Sequence, residues 1–257
     1  MQYCQSTRDH ARGPAIPIVR DLGVGALILL AATTLLWSWV GASFRVPLLA
    51  MITYLIMAGL VVASAPSHWR RLGWANRITL WRGALIALLA GTLADPDLLA
   101  RDAVPLAALA LLVLLLDGVD GWVARRTSTQ SDFGARFDME LDAFLILLLC
   151  LALLLLDKAG PWVLAIGAMR YAFVIAGRKL SWLTATLPQS RRRKIVCVWQ
   201  VAALMIALLP VAGATTTSWL AGSALAGLIW SFGVDIRWLY RHAPARRVED
   251  CRASSHS

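Results

Sequence analysis

Charge is scarce in this chain. Only 16% of its 257 residues are Asp, Glu, Lys or Arg and 59% are hydrophobic, whereas a soluble domain has about 25% and about 45–50%. That leaves too little polar surface to cover a water-soluble globule, and an integral membrane protein is expected. Strand-like alternation of apolar and polar residues is also missing, which excludes a β-barrel and leaves an all-α bundle whose backbone groups are satisfied within each helix. Cysteine is sparse and scattered: Cys4, Cys150, Cys197 and Cys251 have neither metal nor disulfide spacing. The four histidines, His10, His68, His242 and His256, fall in terminal or linker segments, so no Ser-His or Cys-His nucleophile pairing is available. No internal repeat stands out.

What the chain has in abundance is long apolar runs. A bilayer core of about 30 Å needs about 20 such residues per helix. Eight runs qualify, near 22–42, 46–65, 78–93, 104–123, 137–156, 161–176, 194–210 and 219–236. The first is longer than the roughly 7–15 apolar residues of a cleavable signal peptide and is expected to be retained. Eight spans put both termini on one side. If that side is cytoplasmic, 21 of the 25 Lys and Arg residues lie in inside segments and only Arg45, Arg101 and Lys158 lie outside, with Arg170 inside a span. The positive-inside rule then accounts for the net charge of +10 without a nucleic-acid partner. Tryptophans near the expected helix ends, such as Trp69, Trp74, Trp122, Trp162 and Trp182, read as interfacial anchors. The expected organisation is an N-terminal tail with two extra helices over 1–66, a six-helix core over 67–238 and a basic tail over 239–257.

The chemistry concentrates in DGVDGWVARRTSTQSDFGARFDMELD, residues 117–142. Asp117 and Asp120 are spaced i, i+3, and Asp138 and Asp142 are spaced i, i+4, so each pair projects from one helical face. If the two helices are antiparallel neighbours, the four carboxylates converge at one membrane interface. Such a cluster repels itself and resists desolvation, and divalent cations resolve both problems. Oxygen-only ligands favour Mg²⁺ or Mn²⁺, and two such ions can hold a pyrophosphate. Gly121, Ala124 and Arg125 continue the Asp117 stripe, leaving room for a flat nucleotide and supplying a phosphate partner. Gly134 leaves similar room before the second acidic pair.

The pattern D-x2-D-G-x2-A-R-x8-G-x3-D-x3-D is complete in Asp117, Asp120, Gly121, Ala124, Arg125, Gly134, Asp138 and Asp142. It resembles the signature of the CDP-alcohol phosphotransferase (CDP-alcohol phosphatidyltransferase) family. Asn76-Arg77-Ile78-Thr79-Leu80-Trp81-Arg82 is similar to the family's P-N-x-x-T-x-x-R segment, with Ala75 in place of the proline. The resemblance spans about 76–236 and implies displacement of CMP from a CDP-linked donor, usually CDP-diacylglycerol, by an alcohol. It implies that Asp117, Asp120 and Asp138 hold two ions, Mg²⁺ or Mn²⁺, and that Asp142 touches one ion and accepts the proton of the attacking hydroxyl. It further implies a CDP site lined by Asn76, Thr79, Gly121, Ala124, Arg125, Ser131 and Gly134.

For the acceptor, Arg170 inside an apolar run calls for a buried anion or an aqueous cavity. Arg178 follows it, similar to an arginine pair in glycerophosphate-using relatives. The 190–194 cluster, with Arg193 and Lys194, suits a phosphorylated acceptor such as glycerol 3-phosphate or an anionic head group, with topogenic charge as its plain alternative. Membrane lipids are the expected surroundings, and the family's habit admits a homodimer. A bacterial inner membrane, with site and termini cytoplasmic, is the expected location. Two other readings compete. A membrane prenyltransferase also binds diphosphate through aspartates, but its two acidic motifs lie far apart in the chain. A cation transporter would place its acids at the midplane on broken helices.

Overall fold

A computed structural model describes residues 18–64, 74–127, 132–180 and 190–254. Among these there are helices and turns and no strand. In chain order the helices are α1 (Ile18–Val40), α2 (Arg45–Ser64), α3 (Trp74–Thr92), α4 (Pro96–Arg101), α5 (Ala103–Thr127), α6 (Asp132–Leu155), α7 (Leu164–Lys179), α8 (Arg191–Leu208) and α9 (Ala214–Ser254), with a single 3-10 turn at Pro161–Val163 leading into α7.

The expected runs all fall on helices, with three differences at their ends. The short α4 was not expected; Asp95 starts it, its side chain accepting from the Leu98 N–H, with Pro96 at the first helical position where a missing N–H costs nothing. The residues expected as a basic tail continue α9 as helix to Ser254. The acidic helix α6 also begins earlier than expected, so its charged first turns belong to the same rod as its apolar remainder. By length and composition, 20–40, 45–63 and 214–242 can cross a membrane alone, while 78–92, 103–119 and 161–177 are shorter apolar helices. Large apolar side chains on the outer faces, such as Leu27, Trp39, Leu60, Ile195 and Trp219, are exposed, as lipid-facing residues are in an apolar solvent.

The bundle is held in two layers. The main core gathers Ile86 and Leu89 of α3, Ala110 and Val113 of α5, Leu145, Leu149 and Leu153 of α6, Leu204 and Leu208 of α8 and Ala224 of α9. The α1–α2 hairpin forms a second cluster on the outer side of α3, where Leu22, Leu29, Ala50 and Tyr54 meet Leu80, Ala84 and Ala87. Tyr54 is buried and its hydroxyl donates to the Leu22 carbonyl at 2.8 Å, which satisfies a polar group that would otherwise be stranded in the core. Close approach of α2 to α3 depends on Gly91, where a Cβ would stand 2.6 Å from the Val46 carbonyl oxygen and 2.8 Å from the Ala50 Cβ.

One end of the bundle is closed by charges spent on backbone groups. The Asp95 carboxylate accepts from the Ser43 N–H at 2.7 Å, tying the α1–α2 turn to the α3–α4 turn, and Arg101 donates to the Val40 carbonyl at 2.9 Å. Helix α6 ends with Asp157 in the left-handed region (φ 52°), the Lys158 N–H reaching back to the Leu153 carbonyl and that of Asp157 to Leu154, a Schellman arrangement that Asp tolerates better than most residues. The Lys158 ammonium then donates to the carbonyls of Ala207, Leu208 and Leu209 at 2.7–3.3 Å. Those carbonyls belong to the last turn of α8 and have no partners further along the helix, so a cation there also opposes the negative end of the helix dipole.

Candidate active site

The opposite end carries the acids. Asp117 lies in the second half of α5, and Asp138 and Asp142 lie one turn apart in the first half of α6. One carboxylate oxygen from each falls within 4.8 Å of the others. The convergence expected from the spacing is therefore present for these three. Among the described residues, α3 packs against both acidic helices, and α8 does so as well.

Helix α3 brings a cation to the junction. The Arg82 side chain has no exposed surface, whereas the side chains of Asp117, Asp138 and Asp142 are 30%, 35% and 29% exposed. Arg82 Nη1 donates to Asp117 Oδ1 at 2.5 Å; Nη2 donates to Asp138 Oδ1 at 2.5 Å and to Asp142 Oδ1 at 3.2 Å. The fork of the guanidinium thus spans the two acidic helices, a geometry that a lysine could not reproduce. Thr79, one turn earlier on α3, is buried. Behind Arg82, the neighbouring Gly83 receives the Met57 side chain of α2, whose methyl carbon would lie 2.5 Å from a Cβ at that position.

Three carboxylates facing one guanidinium leave two formal negative charges in a partly open site. An all-oxygen donor set with that surplus fits Mg²⁺ or Mn²⁺ better than a softer metal. The residues present therefore fit the divalent ions that the motif implies.

The other expected residues are distributed as follows. Gly121 on α5 and Gly134 on α6 stand half-buried. Asn76 lies in the first turn of α3, Asp120, Ala124 and Arg125 lie on α5, and Arg178 lies near the end of α7; their side chains fall outside the described residues, as does Ser131 altogether. Arg170 has the anionic partner that its place in an apolar run demands: it donates to Glu140 Oε1 at 2.6 Å. Its Nε is buried without a hydrogen-bond partner among the described residues.

The basic cluster at the start of α8 is tied to α9. Arg192 donates to the Ser231 carbonyl and to Asp235 Oδ1, both at 2.5 Å, and lies 5.5 Å from the centre of the Trp230 ring. Arg193 approaches Asp235 Oδ2 at 3.9 Å, and Lys194 is exposed. Arg82 closes the Asn76–Arg82 motif without a role legible from its spacing, and the partners Glu140 and Asp235 have no sequence pattern that announces them. Arg82 was findable, since it stands one turn beyond Thr79 on the same face; Asp235 had no signal beyond being an acid inside an apolar run.

Residues 72–231 match the family model described as CDP-alcohol phosphatidyltransferase. No curated protein and no solved structure matches the chain. The match covers well over half of the sequence and takes in all three helices that meet at Arg82, and the chain belongs to the CDP-alcohol phosphatidyltransferase family, whose members are membrane transferases of substituted phosphate groups.

Proposed function

We propose that the protein transfers the phosphatidyl group of CDP-diacylglycerol to an alcohol and releases CMP, with a phosphorylated acceptor such as glycerol 3-phosphate as its substrate. The observation that carries this reading is the meeting of Asp117, Asp138 and Asp142 within 4.8 Å in a family devoted to phosphatidyl transfer in phospholipid synthesis.

In this reading Asp117, Asp120, Asp138 and Asp142 hold the divalent ions. When bound, Mg²⁺ or Mn²⁺ supplies neutralisation of the diphosphate and of the departing phosphate of CMP. Gly121, Ala124, Arg125, Ser131 and Gly134 line the CDP site, with Asn76 and Thr79 on the α3 side. Asp142 accepts the proton of the attacking hydroxyl. The new bond joins the acceptor oxygen to the phosphorus that carries the lipid, and the bond between that phosphorus and the CMP oxygen breaks. Most of the acceleration comes from alignment and charge placement, because CMP is already a good leaving group. Arg170 and Arg178, with Arg193 and Lys194, bind the phosphate of the acceptor. The unspent buried Nε of Arg170 supports that role, since a buried donor without a partner favours an incoming anion.

The catalytic unit in this reading is 67–238, with 1–66 as a supporting segment and 239–257 as a basic tail. The site and both termini face the cytosol, on the inner membrane of a bacterium. The sparing use of Lys and Arg at the opposite end, where Arg101 and Lys158 cap backbone carbonyls, agrees with that orientation. A homodimer is compatible with the exposed apolar faces.

The test is to incubate purified protein and Mn²⁺ with CDP-diacylglycerol and a panel of alcohols, then to identify the lipid product by mass spectrometry. Phosphatidylglycerophosphate is the expected product. No CMP release with any alcohol contradicts the reaction, and a product from an unphosphorylated alcohol alone contradicts the acceptor.

A further inference from the structure

A membrane site that collects acids must survive the interval before its ligands arrive. Three carboxylates within 4.8 Å repel one another strongly in surroundings of reduced polarity. Among the described residues, α3 and α8 each pack against both of the helices that bear them. Among the described residues, the guanidinium of Arg82 opposes the repulsion and contacts all three.

We propose that Arg82 is a resident counter-cation: a positioning residue that keeps the α5 and α6 acids clustered when no divalent ion is present, and that yields contact with Asp138 and Asp142 as ions bind. The proposal rests on the reading that these acids hold divalent ions, and it adds a competitor to that site.

Three features place Arg82 in this role. The first is the division of its fork, with Nη1 on the α5 acid and Nη2 shared between the two α6 acids. One planar group therefore sets the separation of the two helices. The second is burial: Arg82 has no exposed surface while each acid is about one-third exposed. The arginine occupies the back of the site and ions approach the same carboxylates from the open side. The third is the support behind it. Met57 of α2 seats on Gly83, and α2 closes on Gly91 two turns further along α3, so the helix carrying Arg82 cannot recede when the contacts weaken. The longer 3.2 Å contact to Asp142 is the weaker one and the first to be surrendered, which suits the residue assigned to receive a proton.

Two opposed cations on one set of carboxylates are thermodynamically linked. If Arg82 stabilises the ion-free cluster and loses contacts when ions bind, its removal must make ion binding more favourable. A purely structural arginine would instead lower stability equally with and without ions.

The experiment compares wild type, Arg82→Gln and Arg82→Lys in detergent, reading thermal unfolding in EDTA and in saturating Mn²⁺, and Mn²⁺ affinity by electron paramagnetic resonance. Arg82→Gln is expected to lose roughly 10 °C of midpoint in EDTA, to recover most of it in Mn²⁺, and to bind Mn²⁺ about tenfold more tightly than wild type. Arg82→Lys, which keeps the charge and loses the fork, should fall between the two. If Arg82→Gln can be purified only with Mn²⁺ present throughout, the proposal is upheld; if it fails to fold in both conditions, or loses the same midpoint in both, it is overturned. Wild-type binding of Mn²⁺ with unchanged or weaker binding in Arg82→Gln also overturns it while leaving the proposed reaction standing. Absence of Mn²⁺ binding in wild type overturns both.

Discussion

The two ends of this bundle use charge in different ways. At the far end Asp95, Arg101 and Lys158 bond to backbone groups: an N–H of one turn, a carbonyl of another, and the last carbonyls of α8, with Arg101 also paired to Asp102 beside it. At the site end Arg82, Asp117, Asp138 and Asp142 are spent on one another. A charge bonded to backbone is committed to a peptide group whose place the fold fixes. A charge bonded to side chains can change partners when a ligand brings its own charge. The far end is therefore expected to answer mutation with lost stability, and the site end with lost activity and altered ion dependence.

The largest effect should separate the ends by activity. Asp142→Asn is nearly isosteric and keeps an acceptor for Arg82, yet it cannot take up a proton. Release of CMP from CDP-diacylglycerol should fall by about 10²–10⁴-fold, with the thermal midpoint close to that of wild type. Undiminished turnover would remove Asp142 from the role of proton acceptor.

The next concerns the hairpin. Gly91→Val places a branched side chain against the Val46 carbonyl and Ala50 and should cost about 1–3 kcal/mol by overpacking. Denaturation of the purified variant measures this, and a loss within error of zero would mean that α2 stands off from α3.

Asp95→Ala should cost about 1 kcal/mol, the usual value of a helix N-cap, with turnover unchanged per folded molecule. The N–H groups of Ser43 and then Leu98 hold the Asp95 carboxyl below its ordinary value. A carboxyl lowered in the folded state contributes stability that is complete above its unfolded value of about 3.9 and is lost as pH falls through the lower folded value. The gap between wild type and Asp95→Ala should accordingly be constant near neutrality and close in acid. A gap that persists below about pH 2 would assign the effect to packing instead of charge.

The smallest is Lys158→Met, which keeps an apolar stem and removes the ammonium from the end of α8. A loss of about 0.3–1 kcal/mol is expected, again without change in turnover; a selective loss of turnover would erase the contrast between the ends.

Much of this was legible in the sequence because the signals are local. Apolar runs of bilayer length located the helices, and i, i+4 spacing placed Asp138 and Asp142 on a shared face. Helix ends were harder to read where charge continues a helix without breaking it, as at the start of α6 and through the basic end of α9. Partner choice was not legible. Nothing in the spacing of Glu140 and Arg170, or of Arg192 and Asp235, says that 30 and 43 residues of chain return them to hydrogen-bonding distance. The same holds for the junction itself: local periodicity does not say that α3 packs against both acidic helices, and with that packing comes the place of Arg82.

The central claim is that acids from α5 and α6 act as one site. Titration of Mn²⁺ by electron paramagnetic resonance into wild type, Asp117→Asn and Asp138→Asn tests it most directly. Loss of the same bound population from either helix alone is the predicted result. Binding that survives intact in one variant, or two populations each lost separately, would contradict a shared site.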